Sequence, residues 1–304
     1  MALLKIIPLP PDAPPFIQPD VDVSAVKRKY LDVPYAGTDN PDQMMDIFLP
    51  EEGEGPFPAL IQFHGGAFIG GHKRDAQCVY LFNGLLRGYA VINVNYRLIE
   101  EVIFPYPVFD VKAAIRFLRA NAEKYCLDPT RFAVSGDSAG AYYAAMLGTT
   151  AGVAALEDLS MGAPDCDSSV QAVIGMFGLY DLVMQSQFTE DSPPMPDGVK
   201  LPNFTDEFAG VNCREVPGMG YLASPISYVS KNCPPMLIQA GTKDEIAAYQ
   251  SSVEFVKRIN EVCGEGRAVL ESIPDAMHGD PAYESPEYER SRFEFLNRVF
   301  HMQD

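Results

Sequence analysis

The chain has 304 residues, 47% hydrophobic and 21% charged, the composition of a globular protein able to bury one large core. Its net charge of −18 argues against nucleic acid, anionic membrane surfaces and strongly anionic polymers as partners, because phosphate binding relies on clustered Lys and Arg. No run approaches the eighteen apolar residues of a membrane span, and the N-terminal stretch has no signal-peptide layout, so the expectation is a cytoplasmic protein. Six scattered cysteines without C-x-x-C spacing predict free thiols and neither a metal site nor a disulfide framework. Only a Cys213–Cys233 bridge is left open.

In chain order, a Pro-rich arm at residues 1–25 precedes two β-type runs, 26–35 and 44–49. A third run at 59–63 leads into His64-Gly65-Gly66-Ala67-Phe68. A glycine-rich HGG segment after a strand lets the backbone turn its N–H groups toward a substrate oxygen. A strand at 90–96 follows, and Val111, Ala114, Ile115 and Leu118 recur at helical spacing within 108–124.

The next strand, 131–135, runs into Gly136-Asp137-Ser138-Ala139-Gly140 and a helix-prone stretch. G-x-S-x-G between strand and helix marks a sharp turn that holds the serine out as a nucleophile. The N–H of Ala139, at the helix start, then joins Gly65 and Gly66 as an expected oxyanion donor. Asp137 is expected to support the turn by hydrogen bonding.

After a strand at 172–177, residues 185–221 are rich in Pro, Gly, Asp and Met, and a structureless loop of that length is improbable in a compact domain. They are predicted to cover the active site, with Phe188, Met195, Phe204, Phe208, Met219 and Tyr221 as apolar contacts. A surface excursion anchored by the same aromatics is the alternative. Together with Phe68 and Tyr96, the residues Phe188, Phe204, Phe208 and Tyr221 form the candidate substrate-binding set.

The strand at 236–240 delivers two adjacent acids, Asp244 and Glu245. Asp244 is the chosen partner for the base, and Glu245 is expected to open the following helix, where negative charge is favoured. After the last strand, 268–273, His278 lies in a loop and completes the chain order Ser, Asp, His. Of the other histidines, His64 belongs to the glycine loop, His301 to the C-terminal tail, and His72 lies too early in the chain. Alternating strands and helices imply one domain over residues 1–304, with a mostly parallel sheet and helices on both faces.

These motifs, with Asn95-Tyr96-Arg97-Leu98, Phe104-Pro105, Asp128-Pro129 and Ala223-Ser224-Pro225, resemble the α/β-hydrolase fold of the hormone-sensitive-lipase-like group. The closest branch is that of bacterial feruloyl and acetylxylan esterases, and the similarity runs over residues 45–300. Three positions depart from it. Ala141 stands where a further glycine is common, Ile99-Glu100-Glu101 replaces Ala-Pro-Glu, and the stretch after Asp244 lacks Val-Pro and reads one residue short. The resemblance implies a cofactor-independent serine esterase acting on a small-molecule or oligosaccharide ester, with oligomeric state left open. An amide hydrolase on the same fold and a non-catalytic binding module are the alternatives.

Overall fold

Eight runs rich in β-branched and apolar residues assemble into a single sheet in the computed structural model, which describes residues 5–6, 18–194, 198 and 200–302. A short antiparallel pair, β1 (Lys5–Ile6) and β2 (Val21–Asp22), precedes it. The remainder of the expected arm before residue 18, and Met195 of the expected cover, lie outside the described residues.

The sheet strands are β3 (Lys29–Pro34), β4 (Met44–Phe48), β5 (Phe57–Phe63), β6 (Ala90–Val94), β7 (Leu127–Asp137), β8 (Ala172–Met176), β9 (Met236–Gly241) and β10 (Ala268–Ile273). Their order is β3-β4-β6-β5-β7-β8-β9-β10. The six strands from β6 through β10 pair in parallel, while β3 and β4 add an antiparallel edge. The central strands read as nearly continuous apolar runs because both faces are buried. In β5, Ala59, Ile61 and Phe63 join one core cluster and Leu60 the opposite one; β9 divides Met236 and Ile238 from Leu237 in the same way. This is the period of two expected of a strand.

One face is covered by α1 (Tyr106–Ala120), α2 (Ala139–Thr149) and α6 (Tyr249–Cys263), the other by α7 (Pro286–Phe300) and 3-10 turns over Ala76–Arg87. Helix α1 starts two residues before the expected 108, since a proline fits the first turn, where its missing N–H is not needed. Between β8 and β9 lie three short helices, α3 (Leu182–Asp191), α4 (Phe204–Ala209) and α5 (Pro217–Leu222). All six cysteines are thiols. Among the described residues, no helix is long and apolar enough to cross a membrane.

Parallel strands present their C-terminal ends on one edge, where ligands bind in open α/β sheets. The segments after β5, β7, β9 and β10 carry His64 to Phe68, Ser138, Asp244 and His278 to that edge.

Candidate active site

Strand β7 passes into α2 through one residue, Ser138, held at φ 51° and ψ −118°, a region that non-glycine residues rarely occupy. Two glycines make this turn possible. A Cβ on Gly136 would lie 2.2 Å from the Gly140 carbonyl carbon, and one on Gly140 would lie 2.0 Å from the Phe63 oxygen. Helix α2 therefore presses directly on the end of β5. The amide of Ala139, first residue of α2, has no partner within the helix and sits at its positive end.

The imidazole of His278 lies over Ser138. Its Nε2 is 2.9 Å from Ser138 Oγ, and its Nδ1 is 3.1 and 3.0 Å from the two oxygens of Asp244. A carboxylate only accepts, so Nδ1 carries the proton and donates to Asp244, leaving Nε2 to accept from the Ser138 hydroxyl. Asp244 is held in turn: its Oδ1 accepts from the amides of Ile246 at 2.9 Å and Ala247 at 2.8 Å. Ser138 and Asp244 are buried and His278 is nearly so, which strengthens each of these contacts relative to water.

Glu245 does not open a helix, since α6 begins only at Tyr249. Its carboxylate accepts from the backbone N–H of His278 at 3.2 Å, anchoring the histidine loop and not the ring. The imidazole and Phe177 pack edge-to-face with ring centroids 4.8 Å apart, and Tyr283 packs on Phe177 at 4.6 Å. Phe177 follows β8 with φ 40° and was not visible as a site residue in the sequence. Its signal was only a bulky residue at a strand's C-terminal end.

The glycine loop differs in detail from the sequence expectation. Gly66 and Ala67 face the cavity, whereas Gly65 lies behind its wall, where a Cβ would meet Gln77 Oε1 at 2.3 Å and Asp137 Oδ2 at 2.5 Å. Gly66, at φ 114°, turns tightly enough that a Cβ would fall 2.1 Å from the Gly70 oxygen. Gly66 and Ala67 thus border the cavity, and Gly65 packs against Gln77 and Asp137 behind them. His64 braces the loop. Burial lowers its pKa to about 4, so it is neutral near pH 7, and Nδ1–H donates to the Gly65 carbonyl at 2.8 Å.

Asp137 does not behave as expected either. Its carboxyl lies against the Gly65 amide and its own, yet completes no hydrogen bond of ordinary geometry. Burial, and after it the Asp75 carboxylate, pushes its pKa well above the usual range.

A cavity of about 570 Å³ opens over Ser138. Phe68, Phe177, Leu179, Phe188, Leu201 and Phe204 supply much of its apolar wall, and Gln77, Gln185, Glu245 and Glu284 its polar one. Of the six expected substrate contacts, Phe68, Phe188 and Phe204 line it. The other three do not. Tyr96 is fully buried, stacks on His64 at 4.3 Å and donates its hydroxyl to the His64 carbonyl at 2.6 Å. Phe208 is buried behind Phe68, stacked at 4.2 Å. Tyr221 is half-exposed on α5, outside the cavity. The wall from the 185–221 segment is thus built by α3, the stretch before α4, and the start of α4.

A mostly parallel sheet with a serine at its strand-to-helix turn, a histidine over it and an acid behind the histidine is the arrangement of an α/β-hydrolase. Residues 45–259 match BD-FAE, and the chain belongs to that family. It is 30% identical to Esterase LipC of Mycobacterium tuberculosis, over 79% of this chain and 58% of LipC. To Esterase LipQ of the same organism it is also 30% identical, over 81% of this chain and 56% of LipQ. The chain therefore spans less than three-fifths of the length of these relatives. A solved structure described as a truncated carbohydrate esterase from gut microbiota superposes with a TM-score of 0.73 at 27% identity, covering 90% of this chain and 96% of that one.

Proposed function

We propose that the chain is a serine carboxylic ester hydrolase working by acyl transfer, and that its substrates are short acyl or feruloyl esters carried on carbohydrates. The observation that carries this is the unbroken hydrogen-bond chain from Ser138 through His278 to Asp244 at the floor of the cavity. Ser138 Oγ attacks the ester carbonyl while His278 Nε2 takes its proton; Asp244 orients the ring and stabilises the imidazolium. The amides of Gly66, Ala67 and Ala139 receive the oxyanion. Collapse of the tetrahedral intermediate leaves the acyl group on Ser138, and His278 returns its proton to the departing alcohol. Water, deprotonated by the same imidazole, then releases the acid. The relatives named as esterases and the carbohydrate esterase neighbour support this chemistry. The aromatic wall of Phe68, Phe177, Phe188 and Phe204 suits a planar acyl group.

The test compares wild type with Ser138→Ala on acetylated xylo-oligosaccharides, methyl ferulate and p-nitrophenyl acetate. Acid release from the sugar ester or the ferulate is expected, and Ser138→Ala should lower it by roughly 10³-fold or more while the circular dichroism spectrum is unchanged. Activity undiminished by Ser138→Ala overturns the mechanism, and turnover of the aryl acetate alone overturns the substrate class.

A further inference from the structure

Asp244 orients His278 only if the turn that carries it is rigid, and this turn contains neither a proline nor a helical residue: Glu245 to Ala248 are irregular, and α6 starts at Tyr249 without a side-chain cap. Apart from the bonds that Asp244 itself accepts from Ile246 and Ala247, what holds it comes from elsewhere in the chain. Gln185, on α3 and 3% exposed, places its amide across the turn. Its Nε2 donates to the Ile246 carbonyl at 2.7 Å, and its Oε1 accepts from the Ala248 amide at 3.0 Å. Thr189 Oγ1, one helical turn on, also accepts from Nε2 at 3.2 Å, fixing the rotamer. Ile246 is thereby clamped on both sides, its N–H on Asp244 Oδ1 and its carbonyl on Gln185.

We propose that Gln185 is a positioning residue for the reaction, setting the acid turn through a side-chain splint in place of local backbone rigidity; this rests on reading Ser138, His278 and Asp244 as the triad. Without the splint, the Ala248 amide would lose its partner in a buried position, because Ala248 is 4% exposed, and the turn would relax to satisfy it. Asp244, bonded to the same turn, would move with it. The helix that supplies Phe188 and Thr189 to the cavity wall therefore also holds the catalytic acid in register.

The experiment uses Gln185→Leu and the double variant Gln185→Leu/Ala248→Pro, assayed on p-nitrophenyl acetate and butyrate with Ser138→Ala alongside. Gln185→Leu should lower kcat about ten- to hundredfold on both esters equally, with KM within about twofold, because orientation and not binding is lost. Ala248→Pro should restore about tenfold of that loss. Ala248 has φ −57°, close to the angle proline imposes, and the N–H that proline lacks is the one Gln185 had served. A lower melting temperature with unchanged kcat overturns the proposal, as does a changed acetate-to-butyrate ratio with altered KM, or a loss that Ala248→Pro does not relieve. Hydrogen exchange on the wild type reads the splint without any variant: the Ala248 amide, ahead of the helix, should be protected, and rapid exchange there overturns the proposal even if Gln185→Leu does not fold. Undiminished activity in Ser138→Ala would instead remove the triad on which the proposal stands.

Discussion

The two adjacent acids after β9 show how one bond separates chemistry from support. Asp244 meets the imidazole Nδ1, and Glu245 meets the backbone N–H of the same histidine. Asp244→Asn, which can present an amide donor to Nδ1 and so stabilise the wrong tautomer, should reduce kcat by roughly 10⁴-fold. Glu245→Gln keeps an acceptor for the amide and should change kcat by less than about threefold. Steady-state kinetics of the two variants on one ester checks both, and the reverse ranking would transfer the acid's role to Glu245. Asp137 bears on stability. Its native pKa is raised by burial and then by Asp75, so the native state keeps a proton that the unfolded chain releases above about pH 4. The unfolded state then binds fewer protons, and this group's contribution lowers stability as pH rises. Asp137→Asn should remove that slope, so its urea midpoint should gain on wild type as the pH rises above about 4. A constant difference would mean that Asp137 is ionised in the native state.

At the scale of elements, the site depends on the close approach of β7, α2 and the end of β5. Gly140 has a backbone oxygen, Phe63 O, 2.0 Å from where a Cβ would be, and backbone cannot yield as a flexible side chain can. Gly140→Ala should therefore push α2 away from the glycine loop, lowering stability by on the order of 3 kcal/mol and reducing activity, since Ala139 and Gly66 would no longer converge. Chemical denaturation and kcat measured together would show both losses; near-normal values would mean that the approach is not needed. The aromatic residues teach the converse lesson. Tyr96, Phe208 and Tyr221 are aromatic like the cavity residues, but the first two are buried in the core and the third is exposed on α5.

Across the whole molecule, buried charges tie the segments around the sheet together. Lys112 and Arg116 of α1 are almost fully buried, and both pair with Glu157, which lies between α2 and β8. Glu157→Gln would leave two buried cations without their counter-charge, and the expected loss is about 3–5 kcal/mol, read from urea unfolding; an effect below about 1 kcal/mol would show the pairs to be solvated. The tie is remote from Ser138, so kcat of the folded variant should be unchanged. A further long-range tie, from Asp46 at the sheet's antiparallel edge to Arg74 beyond the glycine loop, includes a side-chain bond of 2.5 Å between Arg74 Nε and Asp46 Oδ2.

The sequence alone determined the sheet strands, because short apolar runs alternating with helical spacing are a local signal that survives any packing. It also pointed to Ser138, Asp244 and His278, because each follows a strand whose C-terminal end must lie on one edge of a parallel sheet; the structure places them within hydrogen-bonding distance. Whether Gly65 or Ala67 faces the cavity, that Phe177 packs on the imidazole, and that Gln185 reaches across to the acid turn were decided only by tertiary structure. Those facts depend on the directions of side chains from segments up to some hundred residues apart, and no pattern of spacing along the chain encodes an angle between two elements that meet only when the core closes.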